Sequence, residues 1–216
     1  MNFTSIIRLI GVSLALFSFS AQASLITNGD FETGDLSGWE TFTTSNGVAN
    51  SSVSIFDTNG DGIGTNSAEF SVGQAAFVSG VLEGGGITQT FSSGASGVFS
   101  IGLDIATRNN AAVGTNLAGG LISLLVDDIV LDFFDFGSIS AGSIERSSLF
   151  SSLSLDSGLH TLSILIERPF LPSGVVQSLD NIEVTQISAV PVPAAAWLFG
   201  SALIGFVGFS RRKIKA

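Results

Sequence analysis

From Ser24 to Ile187, apolar residues alternate with small polar ones in short runs broken by Gly, Asn, Asp and Ser. No run before Val190 keeps a 3.6-residue apolar stripe. Examples of the alternation are Val53–Phe56, Val98–Ile105, Leu121–Val126, Ile129–Phe136, Ser147–Leu155, Leu159–Ile166 and Ile182–Ile187. A period of two sends successive side chains to opposite faces, so each run reads as a strand with one face buried. Roughly nine to eleven such strands in one domain predict an all-β fold, an antiparallel β-sandwich of jelly-roll-like order. Asp127-Asp128 and Asp156-Ser157-Gly158 fall between runs and are the predicted tight turns. Gly84-Gly85-Gly86 reads as a loop, without the helix or lysine that a phosphate site requires.

The two ends of the chain read differently from this body. Met1–Arg8 carries one cation, Leu9–Phe19 is apolar, and Ala21-Gln22-Ala23 is a small-x-small site. Residues 1–23 are therefore expected to be a signal peptide removed by signal peptidase, leaving 24–189 as the exported domain. At the other end, Val190-Pro191-Val192-Pro193-Ala194 precedes an uncharged stretch through Phe209, then the basic stop Arg211, Arg212 and Lys213. As a helix the 16 residues Ala194–Phe209 would span about 24 Å at roughly 1.5 Å per residue, a little under the bilayer's hydrocarbon thickness of about 30 Å. A transmembrane helix is expected over 194–210, with Trp197 near the headgroups and the tail 211–216 in the cytoplasm.

This order of parts resembles the PEP-CTERM class of sorting signals, in the variant built on Val-Pro-Leu-Pro-Ala. Val190-Pro191-Val192-Pro193-Ala194-Ala195-Ala196-Trp197-Leu198-Phe199-Gly200-Ser201 carries the resemblance. It implies an exported protein of a Gram-negative bacterium that makes exopolysaccharide, held first in the inner membrane. It also implies recognition by an exosortase, an integral-membrane cysteine protease-transpeptidase that removes the tail before the protein reaches the cell surface or extracellular matrix. The acid of the family's commonest Pro-Glu-Pro form is absent, which leaves the exosortase subtype open.

Composition removes much of enzyme chemistry. With no cysteine, thiol catalysis, thiolate zinc sites and iron–sulfur clusters are excluded, and the exported domain must be held by its core or by metal. The single histidine, His160, excludes a histidine-rich metal site. All 18 acids lie between Asp30 and Glu183, where Arg108, Arg146 and Arg168 are the only 3 cations, so this body carries 3 − 18 = −15. That charge argues against nucleic acid and anionic lipid, and suits cations, neutral glycans or plain solvation. Arg168 amid this charge is expected to form an internal ion pair.

Two stretches at the ends of the body, Leu25–Gly34 with Leu36-Ser37-Gly38-Trp39, and Ser178–Thr185, resemble the opening and closing strands of galactose-binding-like and carbohydrate-binding-module jelly rolls. The resemblance implies that these strands lie side by side with a structural calcium between them. Glu32 and Asp180 match the positions facing that ion, and Asp30 does so less clearly. Trp39 is either core or, if exposed, a stacking platform for a sugar ring.

Asp57, Asn59 and Asp61, followed by Gly62, have the side-chain order of a calcium loop. The twelfth position is Ala68, with Glu69 one residue late, so this is no EF-hand; a looser calcium-binding β-loop and an ordinary turn both remain. No Gly-x-Ser-x-Gly elbow accompanies His160, and the protein is not expected to be an enzyme. The reading is a structural or glycan-associated surface protein. An adhesin-like interaction module is the alternative, and an anchored glycan hydrolase with two facing acids comes third.

Overall fold

The computed structural model describes residues 23–187, and there the alternating runs become strands. In chain order they are β1 (Glu40–Thr43), β2 (Gly47–Phe56), β3 (Thr65–Gln74), β4 (Glu83–Ser93), β5 (Gly97–Asn109), β6 (Thr115–Asn116), β7 (Leu121–Val126), β8 (Ile129–Asp135), β9 (Ile139–Ser140), β10 (Ile144–Leu155), β11 (Gly158–Arg168) and β12 (Val175–Gln186). Two five-stranded antiparallel sheets have the orders β1-β4-β11-β7-β8 and β2-β3-β12-β5-β10, and β6 pairs with β9 in a short ribbon.

Along β5, Phe99, Ile101, Leu103 and Ile105 are buried, while Ser100, Gly102 and Asp104 between them stay partly open. The first sheet answers with Ile87, Ile122, Leu124, Leu162, Ile164 and Ile166, all fully buried in the same core. Burying each such side chain contributes about 1.5–3 kcal/mol, so the period-two pattern and the sandwich have one cause. Among the described residues no helix is long and apolar enough to cross a membrane. The signal peptide, the motif 190–194, the helix 194–210 and the basic tail were assigned to stretches outside the described residues.

The predicted turn at Asp127-Asp128 closes the β7–β8 hairpin, with both residues left-handed at φ 50° and 64°. A two-residue hairpin of this hand requires that conformation, and Asp tolerates it better than most residues. Asp156-Ser157-Gly158 likewise joins β10 to β11.

Three expectations are corrected. Gly84-Gly85-Gly86 is not a loop but part of β4, between β1 and β11. A Cβ at these glycines would sit 2.0 Å from Ile166 O, 2.1 Å from Phe42 O and 1.8 Å from Ile164 O, so only glycine lets both neighbours close in. Leu25–Gly34 is not a regular strand, although it lies along β12 as expected. Leu25 N donates to Val184 O at 2.8 Å, and Ile182 N donates to Gly29 O at 2.8 Å.

The third correction concerns Arg168. Its side chain is 0% exposed and forms no ion pair among the described residues. The guanidinium instead donates to Ala118 O (2.9 Å), Val72 O (3.2 Å) and Asn116 Oδ1 (3.0 Å). Burial pushes its pKa down to about 10. Five fixed N–H groups suit a task of tying several oxygens in different directions.

Candidate functional site

On the outward side of the second sheet, three strands present a grid of short side chains. Cross-strand pairing sets Phe150, Gly102 and Glu183 in one row of β10, β5 and β12, and Ser152, Ser100 and Thr185 in the next. The third row joins Ser148 and Asp104 to Asp180, after which the register of β12 shifts and Asn181 adopts φ 50°. This bulge turns the Asn181 amide toward the neighbouring strand, where Nδ2 donates to Asp104 Oδ2 at 2.8 Å.

Gly102 lowers the centre of the grid and leaves a groove of about 340 Å³. Phe150 is its wall. The ring lies 3.4 Å from where a Gly102 Cβ would stand, yet the residue is 66% exposed. Asp104, Asn181, Glu183, Ser100, Ser148 and Thr185 share the lining. None of the described cations pairs with Asp104 or Glu183, because Arg108 is bound to Glu69 (2.7 Å) and Arg146 to Asp57 (3.4 Å). The groove thus offers an aromatic face, two carboxylates, an amide and hydroxyls. That donor and acceptor set suits an uncharged polyol with one apolar face.

The sequence-derived candidates fall elsewhere. Trp39 is 7% exposed, packs at 6.0 Å from Phe31 and donates from Nε1 to Asn28 O at 2.9 Å. The stacking-platform alternative for Trp39 is therefore overturned: the indole is core, and its polar edge is satisfied inside.

Glu32 and Asp180 each bond residues at the start of β3. Glu32 accepts from Asn66 N (2.9 Å) and Asn66 Nδ2 (3.4 Å). Asp180, 1% exposed, accepts from the Thr65 and Ser67 hydroxyls (2.8 and 3.3 Å) and from Asn181 N (2.7 Å). Burial raises the Asp180 carboxyl above its ordinary range, the three hydrogen bonds pull it back, and the charge of Asp104 adds to the rise. A buried carboxylate surrounded by oxygens and lacking a cationic partner fits a hard cation in donor chemistry. Among the described residues, no three His, Asp or Glu side chains converge as a metal-binding group.

In the Asp57 loop the side-chain oxygens are turned on the loop itself. Asp57 Oδ1 accepts from Gly60 N (2.7 Å), Asn59 Oδ1 from Asp61 N (3.1 Å) and Asp61 Oδ1 from Ile63 N (2.7 Å). Arg146 Nε donates to Asp57 O at 2.9 Å, so a guanidinium already supplies positive charge at this loop. This donor set does not fit calcium.

His160 has both ring nitrogens engaged, Nδ1 with Asp127 Oδ2 (2.7 Å) and Nε2 with Asp156 O (3.0 Å), which leaves none to serve a nucleophile. The Asp127 hydrogen bond leads the causes that raise its pKa.

Sequence reading missed Phe150 and its groove partners. The signal was present in Ser148-x-Phe150-x-Ser152, which sets a large aromatic among serines on the solvent side of a strand.

No family model and no curated protein matches the chain. Among solved structures, the chain is similar to the carbohydrate-binding module TmCBM61 in complex with beta-1,4-galactotriose, at 15% identity and TM-score 0.46, over 76% of this chain and 99% of that one. It is similar to a putative sugar binding protein from Bacteroides thetaiotaomicron (12%, TM-score 0.45, 76% and 100% covered). A cyclase from Fischerella sp. TAU gives 18% identity and TM-score 0.48, over 78% and 100%. The sandwich assignment rests on the strand pairing, independently of these likenesses.

Proposed function

We propose that this chain is an exported, non-enzymatic glycan-binding protein that holds neutral polysaccharide in the groove of β5, β10 and β12. One observation carries the reading: an exposed aromatic ring stands beside a glycine-floored groove lined by Asp104, Asn181 and Glu183. The apolar face of a sugar ring packs on Phe150, and its hydroxyls donate to the two carboxylates. Hydrogen bonds to charged groups contribute about 1.5–3 kcal/mol each, and unpaired carboxylates repel acidic sugars. Asp180, the acid beside the groove with a raised pKa, is buried and held by hydrogen bonds from Thr65, Ser67 and Asn181, which favours binding over hydrolysis.

The body on this reading is a jelly roll. Support comes from the orders β3-β12-β5-β10 and β4-β11-β7-β8, which interleave as two Greek keys, with β1 and β2 added at the edges. A calcium held by Glu32 and Asp180 would stiffen the junction of β12 with the start of β3. The chain ends supply the rest: a signal peptide for export, then an inner-membrane helix and an exosortase-read tail that deliver the domain to the cell surface or an exopolysaccharide matrix.

Affinity electrophoresis through gels containing neutral β-glucans, galactans or xylans tests the reading. At least one polymer should retard the protein and release the Phe150→Ala variant. Equal mobility of both proteins in every gel would remove the groove from the account.

A further inference from the structure

β8 and β10 are outermost strands of the two sheets, and no ladder joins them. A side chain does. Phe150 stands opposite Gly102 of β5, and its N–H turns to the other flank, where it donates to Asp132 Oδ2 at 3.0 Å. Asp132 Oδ1 accepts from Phe133 N at 2.9 Å, so both carboxylate oxygens are engaged. An edge strand leaves alternate N–H groups without a partner in its own sheet. Here an acid from the opposite sheet takes the N–H that belongs to the exposed wall of the groove.

A β-bulge aims that acid. Leu124 pairs with Asp132 and Leu125 with Val130, so Leu131 is an extra residue in β8. In an unbroken strand Val130 and Asp132, two apart, would share a face. Their partners Leu125 and Leu124 are adjacent in β7 and point to opposite faces, with Leu124 fully buried in the core. The extra residue therefore turns Asp132 to the inner side of β8, toward the second sheet, and leaves Val130 outside. Bulges beside binding sites re-aim side chains in this way. The register shift of β12 turns Asn181 toward Asp104 in the groove, and that of β8 turns Asp132 toward the strand that carries Phe150. Among the described residues Asp132 forms no ion pair, so charge pairing does not account for its place.

Resting on the groove reading, we propose that Asp132 is a positioning residue for the sugar site, holding Phe150 where its ring can meet a sugar. β5 supports β10 from one side only, and the residue opposite the ring is glycine, which offers it no side chain to lean on. Asp132 is the tie on the other side. A wall fixed in advance spares the cost of ordering an aromatic side chain as the ligand binds. Asp132 does not line the groove and acts through the Phe150 backbone alone.

The full chain and its Asp132→Ala, Asp132→Asn and Asp135→Ala variants are run through the gels of β-glucan, galactan and xylan, with polymer concentration varied to give dissociation constants. Having to order one side chain on binding weakens affinity roughly 2- to 10-fold, the loss expected of Asp132→Ala in the gel that retards the parent. Asp132→Asn keeps an oxygen for Phe150 N and should bind within about twofold of the parent. Asp135 ends the same strand and accepts from Gly137 N at 2.9 Å. Asp135→Ala removes that bond without touching Phe150 and should leave retardation unchanged. Amide hydrogen exchange at Phe150 should quicken in Asp132→Ala alone. Parental retardation of Asp132→Ala, beside release of Phe150→Ala, overturns the proposal and leaves the groove standing. So does an asparagine variant as weak as the alanine one, or an equal loss in Asp135→Ala, which would make β8 a structural brace. Self-association of Asp132→Ala with parental affinity in its monomer would also overturn it, making the acid a guard of the β10 edge. No retardation of the parent in any gel overturns the groove reading and the role of Asp132 with it.

Discussion

Arg168 is where a single substitution tests the account of stability most sharply. The buried guanidinium serves Ala118 O, Val72 O and Asn116 Oδ1, and Asn116 Oδ1 also accepts from Ala118 N. Arg168→Met keeps the length of the side chain but leaves the two backbone carbonyls without that donor. A buried acceptor stripped of its partner costs about 1–3 kcal/mol, so the gross loss is about 2–6 kcal/mol. Part of it is offset because methionine carries no charge to desolvate. A net loss of about 3 kcal/mol is expected, a large share of the roughly 5–15 kcal/mol that holds a domain together.

Arg168→Lys separates charge from geometry. It retains the cation, yet one ammonium cannot replace a planar fork aimed at three oxygens, so its loss should be comparable. Urea denaturation with unchanged slopes reads both values. A lysine variant within about 0.5 kcal/mol of the parent, inside the range of neutral surface changes, would show that the charge alone matters and refute the reasoning. A methionine variant more stable than the parent would do the same.

Three other outcomes follow from the same structure. His160 is raised by Asp127, so its contribution is complete below the unfolded histidine value of about 6.5 and fades as pH climbs through the higher folded value. Burial works to raise Asp127, but hydrogen bonds from His160 and Thr161 N lower it overall; its contribution is present above its unfolded value and fades as pH falls through the folded one. Stability measured from pH 4 to 9 should therefore drop at the alkaline end, and His160→Gln should flatten that limb; an unchanged limb assigns the drop to other groups. Gly29→Ala places a Cβ 2.0 Å from Ile182 O and must push the 25–29 segment off β12. A loss of about 1–3 kcal/mol is expected, as for other overpacked sites, and calorimetric unfolding at parental temperature would contradict it. Millimolar calcium should raise the unfolding temperature and EGTA reverse it, with Asp180→Asn abolishing the response and Asp57→Asn retaining it. The opposite pattern would move the ion to the Asp57 loop.

What the sequence made legible is what one strand decides by itself. β5, β10 and β11 have unlike faces, so alternation marked them, and Asp127-Asp128 announced its own hairpin. β4 was invisible because it opens on Glu83 and three glycines, and a pattern of side chains cannot show where there are none. Residues decided by distant partners were misjudged or left open. Trp39 and Phe31 close over each other in the core, and Arg168 meets carbonyls from residues 72 and 118 instead of an acid. The Asp57 loop has the spacing for a cation, but the cation it holds is Arg146, 89 residues later in the chain. The groove required knowing that β10, β5 and β12 are neighbours in that register. Ser148, Phe150 and Ser152 could have flagged one wall of it, but not the other two.

The central claim is that neutral sugar binds the outward face of the second sheet. Two-dimensional amide NMR of the isotopically labelled protein, titrated with the oligosaccharide of the best-retained polymer, tests it residue by residue. Binding in the groove predicts saturable shifts centred on Ser100, Asp104, Ser148, Phe150, Asn181, Glu183 and Thr185, absent in Phe150→Ala. Shifts confined to Phe77, Leu117 and Leu171, or none at any concentration, would contradict it.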